Sequence, residues 1–249
     1  MFPCTWGTFA TVCHTIYNLP NGSQAAIRDV AEAYCTIPIV SDQWQGLVVK
    51  LVDQDQFAIN ICNNFGLTSA GGIYSQLGDA TLDIFRAQEI GPISKWVDDH
   101  IFFRVPMEHH ASYNISRQRS MPDGLPAEFD EDAAHPIRDF FHLPDRSLFD
   151  SPFTYCDADV DDISGQLGIP WEPSKTIPFS YVVPYLGFEW NLSDRTVAIP
   201  ERKKTKYKAA IEDWLPCPTH SLDEAQNFTA SWLPSAPTLS YHTMPHAIL

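Results

Sequence analysis

The sequence predicts an α+β fold in which antiparallel hairpins pack against helices. Paired apolar runs around turn residues indicate three hairpins, at 46–62, 93–105 and 185–199. From about Ile73 the apolar spacing becomes helical, and a second helix is expected to open with the charged residues at 201–208. A chain of 249 residues that is 44% hydrophobic can bury the core of one large domain or two small ones.

The charge balance limits the partners that the whole surface can bind. The chain carries 31 acidic and 16 basic residues, a formal net charge of -15. Because nucleic acids are polyanions, this surface cannot grip them all over. Any polyanionic partner must meet a local basic patch or bridging metal ions.

Cysteine usage and hydropathy indicate the compartment. The six cysteines show no CxxC spacing, which is typical of reduced thiols in an intracellular protein. The N-terminus has no basic segment followed by an apolar core, and no apolar run approaches the roughly 20 residues that cross a bilayer. We therefore expect a cytoplasmic or nuclear protein that is not secreted and has no membrane partner.

The central stretch is 93–105, where apolar residues lead to the adjacent acids Asp98 and Asp99 and then away again. Asp is depleted in strands and enriched in turns, so the stretch predicts a β-hairpin with both acids at its tip. Two carboxylates at one point repel, which raises one pKa unless a cation lies between them. Mg²⁺ prefers a few carboxylates plus substrate phosphates. The alternative is a solvated acidic turn.

A second stretch, 24–39, predicts a short strand that delivers Asp29 at its end, followed five residues later by Tyr34. Pro38 keeps the following backbone extended. An acid at a strand end with an aromatic ring nearby can form the floor of a small pocket. The alternative is that Asp29 caps a short helix from Val30 to Cys35.

The small residues at 63–74 lead into the helical spacing that begins near Ile73. Glycine allows close backbone approach, and the free N–H groups of a helix start can receive a phosphate or a base-paired duplex. The stretch lacks the Gly-Lys-Ser/Thr of a P-loop. A glycine-rich loop without a ligand is the alternative.

After Val105 the pattern changes. Residues 106–157 are rich in Pro, Asp, Ser and His with little periodicity, which predicts an insertion that is mostly loop and partly disordered. The following acids resemble the start of a calcium loop, but Asp162 stands where Gly is needed and Gly168 where Glu is needed. They are expected instead to open a helix that runs to Leu167.

A basic cluster occupies 201–208, where five of eight residues are Lys or Arg. It opens a helix predicted to reach about Trp214. One interpretation is a contact with a phosphate backbone, and the alternative is a solvated helix face. Beyond it, 216–249 contains a possible helix and then a loose tail.

Five segments occur in a fixed order along the chain: RDVAEAYCTIPI at 28–39, NNFGLTSAGGIY at 63–74, KWVDDHIFF at 95–103, LGIPWEPSKTIPF at 167–179 and YLGFEWNL at 185–192. Taken in order, these segments resemble the palm of a reverse transcriptase, most nearly those of fungal retrotransposons of the tyrosine-recombinase (DIRS-like) group. The resemblance covers roughly residues 20 to 215 and favours the site interpretation of Asp29, Asp98 and Asp99 over the alternatives.

The resemblance implies a ferredoxin-like palm sheet packed on helices, with the fingers mostly missing and the thumb truncated. It implies partial fingers and palm at 1–105, with motifs A, B and C. It further implies the acidic, Pro-rich insertion at 106–157, the remainder of the palm at 158–200, and the start of the thumb with a loose tail at 201–249.

The activity that the resemblance implies is RNA-directed DNA polymerisation. A primer 3′-hydroxyl on an RNA or DNA template would attack the α-phosphate of a deoxynucleoside triphosphate, with Mg²⁺ or Mn²⁺ held by Asp29, Asp98 and Asp99. Tyr34 would be the steric gate against a ribose 2′-hydroxyl, and Lys175 would approach the leaving pyrophosphate as donor or acid.

The remaining implied roles concern the template and primer. Phe65, Gly66 and Gly71 would contact the template and the incoming base, although Gly71 stands where many relatives have Pro. Tyr185, Leu186 and Gly187 would brace the primer end. The start of the thumb would meet the duplex backbone through Lys203, Lys204, Lys206 and Lys208.

Two alternatives to an active polymerase stay open. A truncated or decayed copy would be inactive unless a neighbouring segment supplies the missing fingers, thumb or ribonuclease H. Such a non-catalytic remnant would keep only the sheet. The second alternative is a nucleic-acid or protein interaction module that uses the 201–208 cluster.

Overall fold

The computed structural model shows a mixed helical and antiparallel fold. No helix in its described ranges is both long and apolar enough to cross a membrane. The residues that the structure describes are 7–51, 55–64, 67, 69–119, 135–139, 146–216 and 219–226.

The central element is a four-stranded antiparallel sheet in which β1 (Gln24–Asp29) lies between two partners. The strand order is β4–β5–β1–β6, where β4 is Ile93–Trp96, β5 is Asp99–Arg104 and β6 is Ile177–Ser180. All six residues of β1 are buried, so it is covered on both faces.

Within the described ranges, five α-helices have defined bounds, and short 3₁₀ turns connect several elements. The helices are α1 (Phe9–Asn18), α2 (Ala70–Ala87), α3 (His110–Arg119), α4 (Asp157–Leu167) and α5 (Glu201–Trp214). Because α2 precedes β4 and α4 precedes β6, the central unit has the β-α-β-β-α-β order and the strand order of a ferredoxin-like fold. The predicted α+β class with an antiparallel sheet packed on helices is confirmed.

The core lies on both faces of the sheet because successive side chains of a strand point to opposite sides. On one face, Ala25 and Ile27 join a buried cluster with Val12 and Ile16 of α1. On the other face, the cluster contains Ala26, Phe102, Leu82, Phe85 and Val160, which brings in α2 and α4. The strand ends are therefore fixed by packing from both sides.

Two smaller sheets are also present in the part of the chain that the structure describes. The predicted hairpin at 46–62 is present as β2 (Val48–Lys50) and β3 (Phe57–Ile59). A three-stranded sheet follows the central sheet in the chain and is made of β7 (Val182–Tyr185), β8 (Phe188–Asn191) and β9 (Thr196–Ala198).

Two hairpins differ in detail from the sequence prediction. The run from Tyr185 to Trp190, expected as one arm of a hairpin, is broken at Leu186 and Gly187. Their φ angles of 50° and 80° form a two-residue turn that pairs Tyr185 with Phe188. At 93–105 the turn is Val97 and Asp98, because Asp99 is already paired with Trp96 in the ladder. The two acids are therefore not both at the tip.

The segment 106–157 contributes to the core where the structure describes it. It contains α3, and buried side chains at Tyr113, Ile137, Phe153 and Tyr155 pack into the fold. As predicted, the acids after it open α4, which ends at Gly168 with a left-handed φ of 68°. The division into palm, insertion and thumb stays a prediction.

Arg104 at the end of β5 is fully buried and holds the segment before α4 to the sheet. Its guanidinium donates to Gln24 Oε1 at 2.6 and 2.9 Å and to Asp150 Oδ1 at 2.6 Å. It lies 4.0 Å from the ring centroid of Phe153 and 4.4 Å from that of Phe179. A buried charge with this many partners is stabilising only while all of them remain.

We expect Arg104→Met to lower the free energy of unfolding by about 3 kcal/mol, because it keeps much of the side-chain volume and removes the donor from Gln24, Asp150 and the Tyr155 carbonyl oxygen. Urea unfolding followed by circular dichroism measures the change. Lys50→Ala is the control, since the Lys50–Asp55 ion pair is exposed and should contribute less than about 1 kcal/mol. Equal stability of the two variants would contradict the structural role of Arg104.

Candidate active site

The three predicted acids meet at one end of the central sheet. Asp29 is the last residue of β1 and Asp99 is the first of β5, and the register pairs them directly across the two strands. Asp98 precedes Asp99 in the hairpin turn, and its carbonyl oxygen accepts a hydrogen bond from the N–H of Val30 at 3.1 Å. Antiparallel pairing thus joins acids about 70 positions apart in sequence. The alternative in which Asp29 caps a helix is wrong, since the next helical turn is a 3₁₀ turn that begins at Ala33.

The acids are close enough to perturb one another. Asp29 is 4% exposed, and the Asp99 carboxyl, when protonated, donates a hydrogen bond to it. Burial, this hydrogen bond and the charges of Asp29 and Asp98 raise the pKa of Asp99 to about 7. Burial and the charge of Asp29 also raise the pKa of Asp98. The cluster therefore carries more negative charge than its surroundings balance.

Lys175 is the cation nearest to this cluster in the described ranges of the chain. Its Nζ donates to Asp29 Oδ1 at 2.9 Å and to Oδ2 at 3.0 Å. The hydrogen bond to Asp29 raises the pKa of Lys175. Lys175 ends the 3₁₀ turn Pro173–Lys175, whose preceding residue Glu172 donates its N–H to the carbonyl oxygen of Asp29 at 2.8 Å. Backbone pairing therefore carries the lysine to the acid.

A cavity of about 390 Å³ opens beside these groups. Sequence reasoning missed three polar residues that line it: Glu32, Glu172 and Ser174. Glu172 accepts from the N–H and hydroxyl of Ser174 at 3.1 and 2.6 Å, so it shapes the turn that presents Lys175. A Glu before Pro-Ser is a recognisable turn signal, but nothing local indicates that it faces Asp29. The complete lining is Asp29, Val30, Ala31, Glu32, Ala33, Asp98, Glu172, Ser174 and Lys175.

Tyr34 lies beside the acids, within the 3₁₀ turn Ala33–Thr36. Burial and the charge of Asp98 raise its pKa, and its ring meets that of Tyr74 edge-on with centroids 5.7 Å apart. Tyr74 belongs to α2, whose first turn contains Gly71. Phe65 and Gly66, predicted to contact the template, lie outside the described residues. Their roles and that of Gly71 stay predictions.

The turn at Leu186 and Gly187 is linked to both the acids and the basic helix. The fully buried Tyr185 donates its hydroxyl proton to the carbonyl oxygen of Asp99 at 3.2 Å, so the β7–β8 hairpin supports the start of β5. A Cβ on Gly187 would collide with Nζ of Lys203. The predicted primer-bracing turn and Lys203 of α5 are therefore neighbours.

The other lysines of α5 differ in their surroundings. Lys204 forms an ion pair with Glu201 at 3.2 Å, whereas Lys206 and Lys208 are exposed. Tyr207, which is buried, anchors the helix. Lys206 and Lys208 therefore present two positive charges to solvent.

The chemistry of the acid cluster suits a hard divalent cation. Three carboxylates supply the oxygen ligands that Mg²⁺ and Mn²⁺ prefer. Within the described ranges, no group of three or more His, Cys, Asp or Glu side chains is arranged to hold a metal ion as it stands. Both oxygens of Asp29 are bonded to Lys175. The ligand types fit, and Lys175 would have to release Asp29.

Comparisons with known proteins give structural neighbours only. No family model and no curated protein matches the chain. Three similar solved structures are of foamy viral protease-reverse transcriptase. The complex with an RNA/DNA hybrid has 13% identity and a TM-score of 0.47, over 88% of this chain and 22% of that one. The dRH form in complex with double-stranded DNA has 14% sequence identity and a TM-score of 0.49, over 88% of this chain and 29% of that one. A further complex with double-stranded DNA has 12% sequence identity and a TM-score of 0.47, over 94% of this chain and 36% of that one. The chain thus spans between 22% and 36% of those proteins.

The raised pKa of Asp99 has a defined consequence for stability. The folded pKa of about 7 exceeds the unfolded value of about 3.9, so the folded state binds more protons between these values. The contribution of Asp99 to stability is therefore fully present below about pH 4 and is lost as the pH rises through about 7.

We expect the stability of Asp99→Asn relative to that of the unaltered chain to rise by about 1–2 kcal/mol as the pH increases from about 5 to about 8. This value is reduced for solvent screening. Chemical denaturation across that pH range in a metal-free buffer measures it. Asp223→Asn, at an exposed residue, is the control and should change by less than about 0.5 kcal/mol. A pH-independent difference would show that Asp99 does not titrate with a raised pKa.

Proposed function

We propose that the chain is the palm of an RNA-directed DNA polymerase that transfers a nucleotide to a primer 3′-hydroxyl. The observation that carries the proposal is the meeting of Asp29, Asp98 and Asp99 beside an open cavity that also contains Lys175. The order of the motif-like segments supports a retroelement origin of the fungal DIRS-like type. Template, primer and deoxynucleoside triphosphates are the proposed partners.

Asp29, Asp98 and Asp99 would hold Mg²⁺ or Mn²⁺, and such ions stabilise the charge that develops in an in-line phosphoryl displacement. Tyr34 contributes a rigid ring beside Asp98, at the place where a sugar would lie. The raised pKa of Asp99 supports the proposal. It arises in part because neighbouring carboxylates lack enough positive charge to balance them, and a metal ion would supply that charge.

Lys175 has two roles in this proposal. In the free protein its ammonium group balances Asp29, and it must leave before that carboxylate can take a metal ion. Its side chain is 61% exposed, so it can swing into the cavity. A released ammonium group is suited to donate to the leaving pyrophosphate. Breaking the Lys175–Asp29 ion pair would thus both open Asp29 to the metal ion and free the ammonium group to donate to the pyrophosphate.

Removal of the competing ammonium group should tighten metal binding. We expect Lys175→Met to lower the Kd for Mn²⁺ about 5-fold in the absence of nucleotide, a modest factor because the lysine is largely exposed. Electron paramagnetic resonance of free Mn²⁺ measures it. Lys175→Arg, which keeps the charge, should not bind more tightly. Unchanged or weaker binding by the methionine variant would contradict the competition.

The direct test of the activity is primer extension on a homopolymer RNA template with Mg²⁺ or Mn²⁺. We expect extension by the unaltered chain, and a loss of at least about 100-fold in Asp98→Asn, which is isosteric but loses the charge. Asp223→Asn should extend normally. If the unaltered chain extends no primer with either ion, or if Asp98→Asn extends equally well, the proposed activity is contradicted.

The second candidate function is binding of a nucleic-acid duplex through the basic face of α5, without catalysis. The exposure of Lys206 and Lys208 favours it, as does the position of Lys203 against the Gly187 turn. Phosphate contacts release counterions, so binding would weaken steeply with salt.

For this candidate we expect Lys203→Gln with Lys204→Gln to weaken duplex binding and to lower the slope of log K against log salt by about 1–2. Fluorescence anisotropy of a labelled RNA/DNA hybrid measures both. Lys50→Gln, remote from α5 in the β2–β3 hairpin, is the matched control. A slope identical to that of the unaltered chain would exclude these lysines as phosphate contacts.

A further inference from the structure

His100 lies directly behind the acidic turn. It is the second residue of β5, is 1% exposed, and its Nδ1 lies 3.0 Å from the carbonyl oxygen of Asp98. Because a carbonyl oxygen only accepts hydrogen bonds, Nδ1 must carry the proton in this contact. Nε2 of the neutral ring is then left as an acceptor.

The Asp98 carbonyl group is held from two directions. It accepts from the His100 ring and from the N–H of Val30, the residue that follows Asp29. Val97, just before it, has a φ of 57°, a conformation that costs a β-branched residue about 1–3 kcal/mol and persists only when its surroundings hold it. The two hydrogen bonds restrain the turn together with the pairing of Trp96 with Asp99 and the packing of Val97 against a small buried cluster.

The far side of the His100 ring meets Trp171. The two rings are in edge contact, with centroids 5.3 Å apart and an interplanar angle of 72°. Nε2 of His100 and Nε1 of Trp171 are both buried without a hydrogen-bond partner, two of three such side-chain atoms in the described ranges. The two atoms do not hydrogen-bond to each other, so the two rings meet through a packing contact. Trp171 also pairs with Val30 through an isolated bridge, so it belongs to the same cluster.

We propose that His100 is a positioning residue for Asp98, which it anchors through the hydrogen bond from its Nδ1–H to the Asp98 carbonyl oxygen. His100 touches no reacting group. It acts by fixing the main chain of the turn and hence the direction of the Asp98 carboxylate. This inference rests on the proposed function, since it gives His100 a role in the proposed metal site.

Two isosteric variants test the proposal. The side-chain amide nitrogen of Asn falls near the position of Nδ1, whereas that of Gln falls near Nε2. We expect His100→Gln to raise the Kd for Mn²⁺ about 10-fold or more and His100→Asn to stay within about 3-fold of the unaltered chain. In primer extension, kcat should follow the same order with little change in the KM for the nucleotide. Equal losses in both variants would mean that His100 only fills space, and would overturn the proposal.

Nuclear magnetic resonance on the full chain tests the tautomer directly. We expect ¹⁵N-labelled His100 to carry its proton on Nδ1, the atom that faces the Asp98 carbonyl oxygen. A proton on Nε2 in the unaltered chain would overturn the proposal.

Amide exchange separates this inference from the proposed function. If the unaltered chain binds no Mn²⁺, the proposed function fails. The anchoring of the Asp98 turn by His100 is then tested by the exchange rate of the N–H of Val30. Exchange of that N–H should be faster in His100→Gln than in His100→Asn. Equal exchange rates would overturn the anchoring of the turn, whether or not the metal binds.

Discussion

The structure depends on one electrostatic constraint: the sheet register forces the carboxylates of Asp29 and Asp99 together. Both strands are buried on both faces, so neither acid can move away without disrupting the core. The repulsion is met by a proton retained on Asp99 and by the ammonium group of Lys175 on Asp29. The proton and the ammonium group balance the negative charge only in part. We propose that a divalent cation replaces them, and the cavity beside the acids gives it access.

The surrounding elements hold this unfavourable arrangement in place. Segment 170–172 pairs with the continuation of β1, which fixes where Lys175 starts. Tyr185 supports Asp99 from below, while His100 and Val30 restrain the strained turn at Val97. Much of the polar bonding near the acids is made to main-chain atoms. The site is therefore defined by backbone geometry as much as by its side chains.

Local patterns predicted the elements that carry the acids. Apolar runs ending in Asp29 and flanking Asp98 and Asp99 located β1 and the β4–β5 hairpin, and helical spacing located α2 near its true start at Ala70. The break at Leu186 and Gly187 was missed, because a Leu with positive φ gives no local signal and the turn is imposed by pairing of Tyr185 with Phe188. Glu172 and the Lys175–Asp29 contact were beyond local patterns, since a separation of 146 residues is closed only by the tertiary fold.

The central claim is that the Asp29, Asp98 and Asp99 cluster binds a divalent cation in exchange for Lys175. Anomalous diffraction from crystals soaked in Mn²⁺ tests it most directly. The account predicts an anomalous peak within coordination distance of Asp29 and at least one of the hairpin acids, with the Lys175 ammonium group withdrawn from Asp29. A crystal in which Mn²⁺ binds elsewhere while Lys175 stays on both Asp29 oxygens would contradict it.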